Sequence, residues 1–170
     1  MLSLNNLDVL GAEAYSDDGG DHQAPMAASE FRVAAPPFAD FDWHKVRAEI
    51  VSSLNGDFPL EARLAERNKS ARPRRVLAAR TLDAPVVRLD NSVSSNATFV
   101  EVRAPDSVGI LHRITKVLAD SGLDIRHARV QTLGSEVVDT FYVRDSTGEK
   151  VSIERDGESI RAAVLNSFTN

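Results

Sequence analysis

Acidic, hydroxyl and glycine residues gather at one point of the chain where a small molecule could approach the backbone. Asp106-Ser107-Val108-Gly109-Ile110-Leu111 follows a β-branched run and opens an apolar helical pattern. Glycine between a strand and a helix lets a ligand approach the backbone, and the N–H groups of the first helical turn hold anions. A plainer reading of the same residues makes Asp106 a helix cap and Gly109 a packing residue.

Other chemistry-bearing residues point less sharply. Asp17, Asp18, Asp21 and His22 flank Gly19-Gly20, but the spacing fits no EF-hand loop, and a hard cation needs six or more converging oxygens. A polar hairpin loop accounts for them. His112 and His127 fall on expected exposed or edge positions with no partner at catalytic spacing. Arg126 and Arg129 fall on opposite strand faces and form no single phosphate clamp. Trp43, Val46, Ile50 and Leu54 make a helical stripe that reads as core. The chain has no G-x-S-x-G, P-loop, paired-His metal motif or dinucleotide fingerprint. Neither a catalytic residue nor a metal ligand is expected in it.

The elements that must position these residues follow from pattern and charge. The 170 residues carry 20 basic and 25 acidic side chains, a net charge of -5, and no cysteine. That balance argues against a charge-driven nucleic-acid partner. The absence of thiols removes disulfide and thiolate-zinc chemistry and suits a cytoplasmic location. No apolar run reaches the ~20 residues that span a bilayer, so no membrane association is expected. Charge is segmental: residues 1–60 hold ten acids and three bases, and residues 61–80 hold two acids and seven bases. The basic stretch lacks the interleaved aromatics of a single-strand binder and reads as a helix and linker.

Residues 82–170 contain a full set of alternating elements. Pro85–Leu89 is a short strand, and Thr98–Ala104 alternates as a half-buried one. Pro105-Asp106-Ser107 ends that strand and offers a helix cap. Ile110, Leu111, Ile114, Val117 and Leu118 then mark one helix face, with His112, Arg113, Lys116 and Asp120 on the wet side and Gly122 as a C-terminal stop. Strands at Asp124–Leu133 and Val137–Arg144 join through Gly134-Ser135-Glu136, and Ile160, Ala163, Val164 and Phe168 define a closing helix.

The earlier residues repeat part of that set. Leu7-Asp8-Val9 recurs as Leu123-Asp124-Ile125, Phe31-Arg32-Val33 as Phe141-Tyr142-Val143, and Val46–Asn55 as Ile160–Thr169. The first copy begins almost on its Leu-Asp-Val element, which predicts a unit at 1–58 lacking its opening strand and helix. Residues 59–81 form a basic helix and linker, and 82–170 a complete second unit. Strands expected at Val9–Tyr15 and Ala27–Ala34 would then carry exposed apolar surface and self-associate.

This pattern resembles the ACT domain, a βαββαβ ligand-sensing module. The resemblance rests on Asp106-Ser107-Val108-Gly109-Ile110-Leu111, Ser121-Gly122-Leu123-Asp124-Ile125 and Val138-Asp139-Thr140-Phe141-Tyr142-Val143. More narrowly, Ala128-x-Val130-x-Thr132-x-Gly134 with Asp139-x-Phe141-Tyr142-Val143 is similar to the tandem ACT units at the C-terminal end of bacterial PII uridylyltransferase/uridylyl-removing enzymes. The resemblance implies an α+β ferredoxin-like sandwich, an antiparallel sheet with helices on one face. It implies a strand at Pro85–Leu89 that fills the edge a terminal fourth strand would take.

It further implies an amino-acid ligand, glutamine, held by Asp106, Ser107, Val108, Gly109, Ile110, Leu111 and Asp124. Asp124 would meet the ligand across a subunit or repeat interface, although it could equally just end a turn. The family usually has proline before the glycine; here Val108 stands there, and the loop loses a fixed φ. PII protein would be the partner through the parent enzyme, whose nucleotidyl transfer uses magnesium. No cofactor is expected in this chain. The alternative is a ligand-free ACT module that serves interaction and oligomerisation.

Overall fold

Alternating and β-branched runs produce six strands among the described residues, which in this computed structural model are 1–19, 23–35, 41–70 and 84–168. A 3-10 turn at Leu2–Asn5 leads into β1 (Asp8–Asp17) and β2 (Met26–Ala34), followed by helices α1 (Trp43–Leu54) and α2 (Leu60–Ser70). Strands β3 (Val86–Asp90) and β4 (Thr98–Pro105), helix α3 (Ile110–Asp120), strands β5 (Asp124–Leu133) and β6 (Glu136–Arg144) and helix α4 (Ile153–Asn166) complete the order. The expected linker beyond α2 falls at 71–83, outside the described residues, as do Gly20, Asp21 and His22.

The strands form one sheet in the order β2-β1-β5-β6-β4-β3, antiparallel at every step. Within the C-terminal part the order is β3-β4-β6-β5, with α3 and α4 packed on one face. This is the expected α+β sandwich, and β3 takes the edge beside β4, Val87 lying opposite Val102. The core lies between sheet and helices. Ile110, Ile114 and Leu118 of α3 and Ile160 and Val164 of α4 bury against Val100, Val102, Ala128, Phe141 and Val143. Each such apolar side chain gains ~1.5–3 kcal/mol on burial. Gly122, at φ +73, closes α3: its N–H donates to the Ala119 carbonyl and that of Leu123 to the Leu118 carbonyl. Gly134, at φ +68, makes the two-residue turn between β5 and β6. A polar clasp secures the far edge. The buried Thr98 hydroxyl donates to Asn91 Oδ1 at 2.6 Å and accepts the Val151 N–H at 2.9 Å.

Strand β1 pairs with β5, Ala12 opposite Val130 and Glu13 opposite Arg129. This pairing corrects the placement of His127. With β1 alongside, β5 is an interior strand, and the imidazole stacks between Tyr15 at 4.5 Å and Tyr142 at 5.4 Å. Tyr142 in turn meets Phe99 edge-on at 5.6 Å, so an aromatic row crosses β4, β6, β5 and β1. The face of that row is opposite to the one that α3 and α4 cover.

The helical stripe of α1 is also corrected. Val46 is buried, but Trp43 is 58% and Leu54 81% exposed, and Ile50 also faces solvent. The pattern named a face without the layer that would cover it. Asp42 caps α1, accepting the His44 N–H at 2.8 Å. Strand β2 is exposed along nearly its full length.

Candidate ligand-binding site

Strand β4 delivers the loop at its C-terminal end, where Pro105 lies opposite Glu136. The Asp106 N–H donates to the Ser135 carbonyl at 2.8 Å, tying the loop to the β5–β6 turn. The Ser107 carbonyl accepts the Ile110 N–H at 3.1 Å, which starts α3. Gly109 is the helix N-cap at φ +75. The positive φ explains the glycine, since a Cβ would be strained there. The first turn of a helix carries main-chain donors that can hold an anion.

Arg113 braces the loop from the next turn of α3. Its Nη2 donates to Ser107 Oγ at 2.6 Å and its Nη1 to the Val108 carbonyl at 3.1 Å. Burial lowers its pKa from the usual guanidinium value, and its Nε is buried without a partner. The helical pattern had put Arg113 and His112 on the wet side. His112 instead has a buried, unpartnered Nε2, and desolvation lowers its pKa against an opposing pull from Glu61. Glu61 of α2 and the N-terminal ammonium both act on this imidazole, and no pattern within α3 records either.

A second acid was missed on β6. Asp139 is fully buried in the row with Val102 and Val130, and neither carboxylate oxygen makes a well-formed hydrogen bond, the Gln131 backbone amide interacting only loosely. Burial raises its pKa to about 7, the Gln131 backbone amide offsets part of that, and Asp106 adds to it. Its signal lay in the alternation, which sets Val137, Asp139, Phe141 and Val143 on one buried face.

Asp124 does not join Asp106 in the described residues. It begins β5 opposite Arg144, whereas the loop adjoins the other end of that strand, beside Leu133 and Glu136. Nine strand steps separate the two ends, roughly 30 Å at the usual rise. Asp124 instead accepts Arg126 Nη1 at 3.0 Å, and the same guanidinium pairs with Asp18. Arg129 faces Glu13 at 3.8 Å, so the two arginines serve different ion pairs. A polar hollow of about 510 Å³ lined by Asn96, Arg144 and Lys150 lies at the Asp124 end. The residue that does begin its strand beside the loop is Asp8, the counterpart of Asp124 in the sequence repeat. Antiparallel pairing sets the start of β1 against the end of β5, with Thr132 Oγ1 donating to the Val9 carbonyl at 2.8 Å.

Among the described residues no three His, Asp or Glu side chains converge to hold a metal ion. No helix among them is long and apolar enough to cross a membrane.

Residues 98–155 match the ACT domain family. The chain is 35% identical over 151 residues to the bifunctional uridylyltransferase/uridylyl-removing enzyme of Streptomyces coelicolor, covering 87% of this chain and 18% of that enzyme. The enzyme of the same name from Caulobacter vibrioides is 32% identical over 168 residues, 96% of this chain and 17% of its own length. That from Rhodospirillum rubrum is 37% identical over 117 residues, 68% of this chain and 12% of the enzyme. The chain thus spans under a fifth of the length of these relatives. No solved structure matches it. With the antiparallel sandwich and the glycine loop in place, the chain is a protein with an ACT domain, homologous over most of its length to the C-terminal part of bifunctional uridylyltransferase/uridylyl-removing enzymes.

Proposed function

We propose that this chain is an amino-acid-sensing regulatory module, with L-glutamine as ligand, that biases a PII-modifying nucleotidyltransferase in nitrogen regulation. The observation that supports this most is the loop 106–109, which opens α3 on a left-handed glycine where a ligand can approach the main chain. The ligand carboxylate would take main-chain donors at Gly109–Leu111, and its ammonium would lie toward Asp106, with Asp8 in place of Asp124 across the β1–β5 seam. In this reading residues 1–58 are a first ACT-like unit without its opening strand and helix, and 82–170 are the complete one. Regulation needs a ligand that binds two states of the parent enzyme unequally.

Isothermal titration with glutamine, alanine and glutamate tests the reading. Glutamine should give saturable heat, and Asp106→Ala should weaken it at least tenfold while the melting temperature stays near that of wild type. No heat and no thermal shift at millimolar glutamine would sink it.

A second reading, a ligand-free ACT interaction module, is favoured by one feature. Met26 and Phe31 on the edge strand β2 and Trp43, Val51 and Leu54 on α1 are all exposed. Sedimentation at rising concentration separates the readings: self-association unaltered by glutamine favours the second.

A further inference from the structure

Helix α2 covers the proposed ligand loop. Where a Cβ on Gly109 would point, Leu64 Cδ2 lies at 3.3 Å and Cδ1 at 3.4 Å, so the leucine fills the space that glycine leaves open. Leu64 is 8% exposed and is the one buried side chain described in α2; Leu60 is half-buried, and residues 61–63 and 65–69 are exposed. Polar ties hold the rest. Glu61 pairs with Lys116 of α3 at 3.5 Å, and Arg67 hydrogen-bonds Asn6 beside the N-terminal turn. Both the Glu61 and Lys116 side chains are largely solvent-exposed, so the pair is a weak latch.

These facts combine into one device. Glycine at the strand–helix junction gives a ligand access to the backbone, and here a leucine from another helix already takes that place. We propose that α2 is a displaceable lid, in which Leu64 and an amino-acid ligand compete for the space beside Gly109. The inference rests on the ligand reading of the 106–109 loop and adds its regulation. A helix anchored by one leucine and an exposed ion pair opens at low cost compared with the sandwich core. Its opening also releases Arg67 from Asn6, which loosens the turn that leads into β1. Ligand occupancy at the loop is thereby converted into a change in how the N-terminal hairpin is held.

Competition makes the apparent affinity scale with the open fraction. Leu64→Ala should tighten L-glutamine binding, on the order of tenfold, in isothermal titration of the full chain. Saturating glutamine should also speed amide hydrogen exchange across residues 60–70 of the wild-type chain while β6 amides stay protected. Glu61→Lys, which breaks the latch on an exposed face, should act in the same direction and serves if Leu64→Ala loses β6 protection. Equal glutamine affinity in wild type and both variants, with exchange across 60–70 unchanged, overturns the lid and leaves the ligand site standing. Weaker binding in Leu64→Ala also overturns it, because Leu64 would then line the site. If no form binds glutamine, the site reading falls and the lid falls with it.

Discussion

Two hairpins share one sheet but live in different surroundings. Strands β5 and β6 have β4 as a further neighbour and α3 and α4 above them, and Phe141 and Val143 are completely buried. Strands β1 and β2 carry a similar sequence, yet Phe31, the counterpart of Phe141, is 43% exposed, and β2 ends the sheet. The same residue types therefore carry different energies, because an apolar side chain is worth only the surface that a neighbour removes from water. In the C-terminal unit two strands and a helix lie between Pro85 and the second hairpin; no counterpart precedes β1 among the described residues.

The sharpest way to test that difference is to make one truncation in both places. Phe141→Ala should cost ~3–5 kcal/mol and abolish the cooperative melt of the sandwich. Phe31→Ala should cost less than ~1 kcal/mol, as surface substitutions do. Urea denaturation followed by circular dichroism measures both. Comparable losses would mean that β2 is covered in solution.

Asp139 offers the next largest effect, and its sign is the reverse of an ordinary paired carboxylate. Its folded pKa is raised from 3.8 to about 7, so the folded state binds a proton more tightly than the unfolded chain. The stabilising contribution is complete below pH ~4 and is lost as pH rises to about 7. Asp139→Asn should remove that decline and stabilise the protein at pH 8, on the order of 2–4 kcal/mol if the amide finds partners. Asp90 and Asp145 act in a separate window. Hydrogen bonds to Ser92 and Thr147 hold them below the usual range, so their contribution is lost as pH falls below ~4. Melting temperatures from pH 4 to pH 8 check the slope. A flat profile in the wild type would show that Asp139 is relieved by groups that move toward it.

What the sequence made legible is bounded by what a local pattern can carry. The C-terminal elements were readable because hydrophobic period, turn glycines and burial agree there: Gly122 and Gly134 have the positive φ their positions require. The strand at 86–90 was placed on its edge by resemblance, and its pairing with β4 follows that placement. Asp124 begins β5 at the end opposite the loop, and residue types at a strand's start do not say which end of the sheet they occupy. His112, Arg113 and the α1 stripe depend on which other element covers them, and helical periodicity holds no record of that. His127 was set near an edge because the seam between β1 and β5 joins residues more than a hundred positions apart.

That seam is also where the two regions can be separated most gently. Glu13 and Arg129 face each other across it, and the offset of 116 that relates Asp8 to Asp124 also relates these two residues. The pairing is thus nearly self-complementary, as in a two-fold contact between like strands. Ser16 Oγ donates to the Ile125 carbonyl at 2.7 Å at one end, and Thr132 Oγ1 to the Val9 carbonyl at the other. Near the Ser16 end, Tyr15 lays its ring on His127 with the planes 11° apart, although the tyrosine itself is 53% exposed. A stacked cross-strand pair of this kind contributes ~0.5–1.5 kcal/mol. Tyr15→Ala should therefore leave the sandwich melt within experimental error while speeding amide exchange along β1 by about three- to tenfold. Exchange that rises equally in β1 and β6 would mean that the hairpin and the sandwich open as one unit, and that the seam is part of the core rather than a boundary.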